Sequence, residues 1–496
     1  MTLLDYCEHD ALGIAELVSK GEVTSCEVLD QALARAEAVN SKVNAIVHFM
    51  AEEAKATAQN PIDGPFHGVP FLLKDLNAAY AGFPMSHGSR LLKNFTCEWT
   101  DDIVKRYRNA GLVVFGKTNT SEFGILPVAE PDVFGPTKNP WNLGRTAGGS
   151  SGGAAAAVAT GIVPIAHASD GGGSIRIPAS CCGVFGFKPS KGLAPSGPNA
   201  SELFFGYGTQ HVISRSVRDS AAALDVIAQP HSLARLKTPS FRAVTSNKPQ
   251  KRGLRIAVGA TPYVDVVVDA SCIAALWEAA HCCEDLGHYV EEAAPEFDRD
   301  LFRQDFFIVT CAGSLAALNF WQRSLGRNVS RPEIEVVTQL CRIIASNFSA
   351  AEFLDARDRL MSVQRRMETF LETFDVVLTP TLAIPPPELG SLRVPPLLTR
   401  ILDISFSWPL REIYGCGWVI EQIMRRFPTV VYRFTPFAQL ANVAGLPSMS
   451  VPLSRNSEGL PIGSMFTSAI GRDGMLLELA SQLESHQAWR KLLPRC

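Results

Sequence analysis

Two short glycine-rich stretches of the chain each contain a serine. Residues 148–153 read Gly-Gly-Ser-Ser-Gly-Gly, and residues 170–178 read Asp-Gly-Gly-Gly-Ser-Ile-Arg-Ile-Pro. Glycine allows positive φ angles and a close approach of the backbone to a ligand. In the second stretch three successive glycine amides can turn toward one point directly before Ser174, which suits an oxyanion hole beside a serine nucleophile. Apolar or alanine-rich segments flank both stretches, which favours pinned loops over flexible surface loops.

A serine nucleophile needs a base, and the sequence offers a lysine rather than a histidine. None of the ten histidines stands at a recognisable spacing from these serines, and His167, at the end of an apolar run, is expected to be structural. Lys74 follows the apolar residues 68–73, which predict a buried strand ending at this lysine. An apolar setting lowers the pKa of a lysine, and the neutral amine can then act as a base. A solvated charge at the strand end is the alternative.

Residues 111–118 match the phosphate-loop pattern Gly-x-x-x-x-Gly-Lys-Thr, with Leu, Val, Val and Phe at the variable positions. Those four residues predict a buried strand, whereas a phosphate loop needs a bending backbone after a strand. We therefore reject nucleotide binding through this segment.

Short apolar runs alternate with helical patterns along the chain. Residues 9–60 have apolar residues at helical spacing. Strands are predicted near residues 68–75, 111–116, 163–168, 254–258, 375–379 and 448–453. Further helices are predicted over residues 101–109, 151–161, 269–286, 313–325, 333–342, 350–374 and 474–484. This alternation predicts an α/β fold with a large mixed sheet covered by helices.

Composition narrows the class of protein. The 496 residues carry 46 Lys+Arg against 49 Asp+Glu, a net charge of −3, so no nucleic-acid partner is expected. Twelve cysteines include no Cys-x-x-Cys pair and none at finger spacing from a histidine, which favours reduced core thiols and no metal. The N-terminus has no secretory pattern, and the apolar residues 154–168 are too few to span a bilayer. We expect a soluble cytoplasmic protein without a membrane partner.

The glycine-rich stretches resemble the signature of the amidase signature family. The match runs from Gly148 to Gly192, with Ser169 and Gly171 in place of a threonine and a variable apolar residue. Further blocks agree in order and spacing at residues 68–75, 116–123, 139–142, 440–452 and 459–466. The resemblance covers about residues 10–230 and 430–485. It implies a single amidase signature domain over residues 1–496, with helices on both faces of a large mixed sheet, a diverged specificity region at about 300–430, and no cofactor.

The resemblance also implies a role for each catalytic residue. Ser174 would form the acyl-enzyme, Ser150 would pass the proton after a cis peptide bond to Gly149, and Lys74 would be the base. Backbone amides would stabilise the oxyanion, those of Gly171, Gly172, Gly173 and Ser174. Three side chains would support the loops, namely Ser151, Asp170 and Arg176. For Arg176 a structural ion pair and a substrate contact are equally expected.

Within the family the chain looks most like a branch of bacterial 6-aminohexanoate cyclic-dimer hydrolases and related urethanases. This likeness rests on residues 66–76, 130–145 and 164–170. It implies hydrolysis of C–N bonds in uncharged linear or cyclic amides, with carbamates as the alternative. We expect an apolar substrate pocket that includes Phe123, Ile125, Leu126 and Cys311, although core packing is the favoured role of Cys311.

Two other functions stay open. A glutamine amidotransferase subunit of this family would work with partner subunits on transfer RNA, but the near-neutral charge and the diverged region argue against it. A binding protein without catalysis is disfavoured because the lysine and both serines are intact. Three basic residues could still bring charge to the pocket, namely Arg303, Arg323 and Arg411. The expected partner is a small amide or carbamate, and a homodimer is left open.

Overall fold

The computed structural model describes residues 2–228, 240–246, 253–393, 432–487, 489 and 494. The strands in this part of the chain are β1 (Ile46–Phe49), β2 (Pro70–Lys74), β3 (Val113–Thr118), β4 (Lys138–Asn139), β5 (Asn142–Thr146), β6 (Ile165–Asp170), β7 (Phe185–Lys188), β8 (Thr209–Ser214), β9 (Arg255–Val258), β10 (Tyr289–Glu292), β11 (Val376–Pro380), β12 (Ser448–Arg455) and β13 (Pro461–Ser468).

The helices alternate with these strands. They are α1 (Leu3–Glu8), α2 (Ala11–Ser19), α3 (Ser25–Val43), α4 (Ala51–Gln59), α5 (Asp102–Asn109), α6 (Gly152–Ala159), α7 (Arg176–Cys182), α8 (Val217–Ile227), α9 (Phe241–Ser246), α10 (Ala270–Asp285), α11 (Arg299–Leu325), α12 (Val336–Ala345), α13 (Ala350–Thr373), α14 (Gln439–Val443) and α15 (Asp473–His486).

Eleven strands form one sheet in the order β1-β3-β2-β6-β8-β7-β12-β13-β11-β9-β10. Strand β2 pairs in parallel with β3 and β6, whereas β6 pairs antiparallel with β8. Helices α6, α8 and α10 pack against the sheet. The predicted α/β class with a large mixed sheet is confirmed, while the single domain over residues 1–496 stays a prediction.

Most predicted elements lie where the apolar runs placed them, with two instructive differences and one rejected motif that forms a strand. The segment predicted as helical over residues 9–60 contains strand β1, which pairs with β3 at the sheet edge. Residues 113–118 form a strand rather than a phosphate loop, as expected. Helix α11 begins at Arg299 instead of residue 313, because Asp298 caps it by accepting the amide of Leu301.

Helix α11 is the longest helix described, and its length and apolar composition would suffice to cross a membrane. In the structure it packs against α12 and α13. Its Phe302, Phe306 and Trp321 are almost completely buried. The helix therefore serves as a wall inside the protein, and the cavity described below runs along it.

Candidate active site

The sheet places the predicted base beside the glycine-rich loop. Strands β2 and β6 are parallel neighbours, with Leu72 opposite Ala166. Their carboxyl ends therefore lie together, which brings Lys74 next to Ser169 and Asp170. In open α/β sheets the carboxyl ends of parallel strands are the usual place for a ligand.

Lys74 is completely buried, and its side chain has only neutral hydrogen-bond partners. Its Nζ lies 2.7 Å from Ser150 Oγ and 3.0 Å from Ser169 Oγ. Burial lowers the pKa of Lys74 from 10.5 to about 7, although the charge of Asp170 opposes the shift. The alternative of a solvated charge is wrong, since the amine is poised to accept a proton near neutral pH.

Ser150 lies after a cis Gly149–Ser150 peptide bond, as the resemblance implies. Gly149 can have no side chain here, because a Cβ would lie 2.5 Å from the carbonyl carbon of Val128. The backbone packing thus holds Ser150 against Lys74 while both Ser150 and Ser174 line one cavity. Among the described residues, no hydrogen bond joins the two serine hydroxyls, so that step of the proton path would form with substrate in place.

The glycine loop corrects one predicted oxyanion donor. The amide of Gly173 donates to Asp170 Oδ1 at 2.7 Å, and the amide of Ile175 donates to Asp170 Oδ2 at 3.1 Å. The Gly173 amide is therefore engaged by the loop itself, and its predicted role toward an oxyanion is wrong. Gly171, Gly172 and Ser174 line the cavity, and their amides stay candidates for the oxyanion hole.

Asp170 and Arg176 form a fully buried ion pair beneath the loop, 3.0 Å apart. Arg176 also donates to the carbonyl of Ala438 at 2.8 Å and to Asn442 Oδ1 at 2.7 Å. Burial alone would raise the pKa of Asp170, but the Arg176 guanidinium outweighs it and holds that pKa well below its usual range. Arg176 does not line the cavity, so the structural ion pair rather than the substrate contact is its role.

Two neighbouring side chains complete the support. Ser151 Oγ donates to the carbonyl of Ser169 at 3.2 Å, and the amide of Ser151 donates to the carbonyl of Ser174 at 3.2 Å. His167 is structural, as expected. Its Nδ1 lies 3.3 Å from the amide of Lys74, and burial lowers its pKa to about 3, so it stays neutral.

A cavity of about 500 Å³ opens over Ser174. Phe123, Ile125 and Leu126 line it, as predicted. Cys311 does not: it is completely buried in the core around α11, and Cys341 of α12 lines the cavity instead. The favoured core role of Cys311 is thus correct, and its placement in the pocket is wrong.

The cavity has two aromatic sides. One side extends from Phe123 away from Ser150. The other side lies over the glycine-rich loop at residues 171–174, where Phe204 packs beside Gly171 and Phe306 packs beside Gly172. Sequence reasoning missed Phe204 and Phe306, because they meet only through tertiary packing, with ring centroids 6.1 Å apart.

Lysine and arginine are absent from the described wall of the cavity. Arg303 pairs with Asp300 at 3.0 Å, and Arg323 is exposed near the end of α11. Neither arginine brings charge to the pocket, so the prediction that they could do so is wrong for both. Arg411 lies outside the described residues. The described acidic side chains of the wall are Asp101, Asp170 and Glu202.

The fold and this site together define a serine amidohydrolase-like centre, and comparisons with known proteins give its family. The amidase family model matches residues 27–411. A 6-aminohexanoate-cyclic-dimer hydrolase of Paenarthrobacter ureafaciens is 33% identical over 97% of this chain and 95% of its own length. A putative amidase of Mycobacterium tuberculosis is 36% identical over the same shares. A solved structure of 6-aminohexanoate cyclic dimer hydrolase superposes with a TM-score of 0.87 at 31% identity, covering 99% of both chains.

The chain therefore belongs to the amidase signature family. It is a hydrolase that acts on C–N bonds of non-peptide amides.

Proposed function

We propose that this enzyme hydrolyses uncharged linear or cyclic amides through an acyl-enzyme on Ser174, as a 6-aminohexanoate cyclic-dimer hydrolase-like amidase. One observation carries the proposal most. The buried Lys74, whose pKa is lowered to about 7, is hydrogen-bonded to Ser150, and Ser150 lines a cavity with an apolar, aromatic wall. This pairs a base with a substrate site that has no described cation.

The reaction would run in two halves. Lys74 takes the proton of Ser150, and Ser150 takes that of Ser174, while Ser174 Oγ attacks the amide carbonyl. The amides of Gly171, Gly172 and Ser174 would receive the negative charge on the carbonyl oxygen. The C–N bond then breaks and the proton returns from Lys74 through Ser150 to the leaving nitrogen. Water adds to the acyl-enzyme by the same proton path and releases the acid.

The cavity wall favours neutral groups next to the scissile bond. A free α-carboxylate, as in glutamine, would lose hydration there without a described cation to pair with it, and an unpaired buried charge is costly. A cyclic or linear amide of aliphatic chains would bury apolar surface instead. The cavity wall without a described cation and the near-neutral charge of the chain therefore both argue against a glutamine amidotransferase.

The deciding measurement is kcat/KM on the isolated chain for a neutral aryl amide, an aryl carbamate, a cyclic amide dimer and glutamine, with Ser174→Ala as the blank. We expect the neutral amides to lead. A higher value for glutamine would overturn the substrate proposal, and a carbamate value well above the amides would make the enzyme a urethanase. No turnover of any substrate would support a binding protein.

A further inference from the structure

Asp101 presents a carboxylate to the same cavity and forms no ion pair with any described residue. The buried Lys117 ammonium attracts the carboxylate, but it donates its hydrogen bond to the carbonyl of Ala78 instead. Its Oδ2 accepts the amide of Ala79 at 2.8 Å, and its Oδ1 accepts Trp99 Nε1 at 3.0 Å. Each carboxylate oxygen can accept two hydrogen bonds, so one position stays free on each. Both donors are neutral, so among the described residues this half-buried carboxylate has the electrostatic attraction of the buried Lys117 but no direct ion pair.

The wall that leads from the catalytic serines toward Asp101 begins at Gly124. A Cβ on Gly124 would lie 3.4 Å from Ser150 Oγ, so the chain passes directly beside the bridging serine. Phe123 precedes it and contacts His87, with ring centroids 5.8 Å apart. Burial lowers the pKa of His87 to about 4, so this part of the wall is uncharged at neutral pH.

Two indole rings continue the wall. His87 contacts Trp321 with centroids 5.1 Å apart, and Trp321 stacks on Trp99 at 6.4 Å with an interplanar angle of 26°. The edge of Trp99 then donates to Asp101. The cavity is lined by all four of these residues, namely His87, Trp321, Trp99 and Asp101. A ligand lying along this wall would thus meet apolar and aromatic surface first and a carboxylate last.

We propose that this distal end of the cavity binds a cationic group, such as the primary ammonium at the end of an aliphatic chain, between the Asp101 carboxylate and the rings of Trp99 and Trp321. A cation is attracted by the face of an indole and forms a charge-assisted hydrogen bond with a carboxylate. The inference rests on the proposed function and changes its substrate class in one respect: the groups beside the scissile bond are uncharged, whereas the far end of the substrate carries a positive charge.

Glu202 offers a matched comparison. It also lines the cavity, but its carboxylate lies 3.9 Å from Lys191 Nζ and is half exposed. It therefore already has a counter-charge and water, and it should add little to cation binding. The pair of variants Asp101→Asn and Glu202→Gln separates a specific carboxylate from a general negative field.

The test compares ω-aminoalkanoyl 4-nitroanilides with n-alkanoyl 4-nitroanilides of equal length, in which a methyl group replaces the ammonium. We expect wild-type kcat/KM to favour the ammonium member by about tenfold once the chain is long enough to reach Asp101. The preference should vanish for the shortest members. The ratio should fall to about one in Asp101→Asn and persist in Glu202→Gln. Hexylammonium should also inhibit the wild type more strongly than hexanol.

Each outcome of this experiment supports or overturns one part of the proposal. Hydrolysis of the neutral anilides without any preference at any length would overturn the cationic subsite and leave the proposed function intact. A preference equal in Asp101→Asn and the wild type would overturn the role of Asp101. Failure to hydrolyse every anilide would count against the proposed function, and calorimetric binding of hexylammonium to the wild type would then test the subsite alone. If Asp101→Asn does not fold, the wild-type length series and the inhibition pair still decide the question.

Discussion

The pH dependence of the reaction tests the neutral-base role of Lys74 most directly. With a pKa of about 7, roughly half of the Lys74 side chains would be neutral at pH 7, against about one in 3,000 with the ordinary value of 10.5. That difference corresponds to about 5 kcal/mol against the charged form. Activity should therefore fall on acidification, by about tenfold for each pH unit below the pKa.

The assay is a profile of kcat/KM between pH 5 and 10 on a neutral anilide. We expect one acid limb with an apparent pKa near 7. The buried histidines cannot produce it, because burial lowers the pKa of His87 to about 4 and that of both His167 and His211 to about 3. Lys74→Arg should be inactive at every pH, since the guanidinium stays charged, and Lys74→Ala should lose about 10²–10⁴-fold in kcat.

Four other buried groups titrate near neutral pH and need controls, because their titration could imitate the limb. Burial lowers the pKa of Lys188 to about 7, raises the pKa of Glu122 and of Asp219, and raises the pKa of Glu335 to about 8. The control variants should keep the acid limb whatever their absolute rate, namely Lys188→Met, Glu122→Gln, Asp219→Asn and Glu335→Gln. A limb that persists in Lys74→Ala, or one that moves only in a control variant, would refute the role of Lys74.

The same shift predicts a stability effect with a definite sign. The folded pKa of Lys74 is below the unfolded one, so between about pH 7 and 10.5 the unfolded chain binds a proton that the folded chain does not. This contribution makes the protein more stable as the pH rises through that window. Below about pH 7 the destabilising cost of the buried ammonium is fully present. At pH 6, Lys74→Met should thus be inactive yet melt no lower than the wild type by calorimetry; a large fall in Tm would contradict a destabilising buried ammonium.

The remaining predictions concern the nucleophile, the ion pair and the cavity wall. A serine-directed phosphonate should label Ser174 in peptide mapping, and undiminished labelling elsewhere in Ser174→Ala would overturn its assignment. Arg176→Met should cost about 3–5 kcal/mol in urea unfolding, because it leaves Asp170 buried and unpaired; a cost below 1 kcal/mol would be inconsistent with the pair. Glu122 accepts hydrogen bonds from Ser89 Oγ and the Glu335 amide. Glu122→Gln should therefore change KM for long substrates more than it changes kcat for a small substrate. An equal change in both constants would argue for a general loss of folding.

The placement of the proposed catalytic residues side by side could be predicted from the sequence because their signals are local. The glycines around Ser150 and Ser174 and the apolar run before Lys74 each specify the backbone near one residue. The failure at Gly173 has a physical reason: Asp170 ends a buried strand and needs donors, so it accepts hydrogen bonds from the loop amides of Gly173 and Ile175. No sequence pattern shows which of several adjacent amides a carboxylate will take.

The cavity wall could not be predicted in the same way. Its aromatic residues come from separate segments, such as the turn at Phe204, where φ is +48°, and the long helix α11 at Trp321. That helix is buried on several sides, so its apolar residues do not mark one face. The apolar pattern therefore predicts its start at residue 313 instead of Arg299. Cys311 and Cys341 illustrate the result, since both lie in apolar helical segments and only one of them lines the cavity.

The contacts of Arg176 have a consequence for the order in which the enzyme becomes active during synthesis. The loop of the proposed nucleophile is held through Arg176, which donates to the carbonyl of Ala438, the side-chain oxygen of Asn442 and the hydroxyl of Ser448. These three residues leave the ribosome long after Ser174. Strand β12 also pairs with β7, directly behind the loop. A nascent chain that already contains all three proposed catalytic side chains therefore still lacks the supports of the proposed nucleophile, and acylating activity should arise only when residues 438–455 are in place.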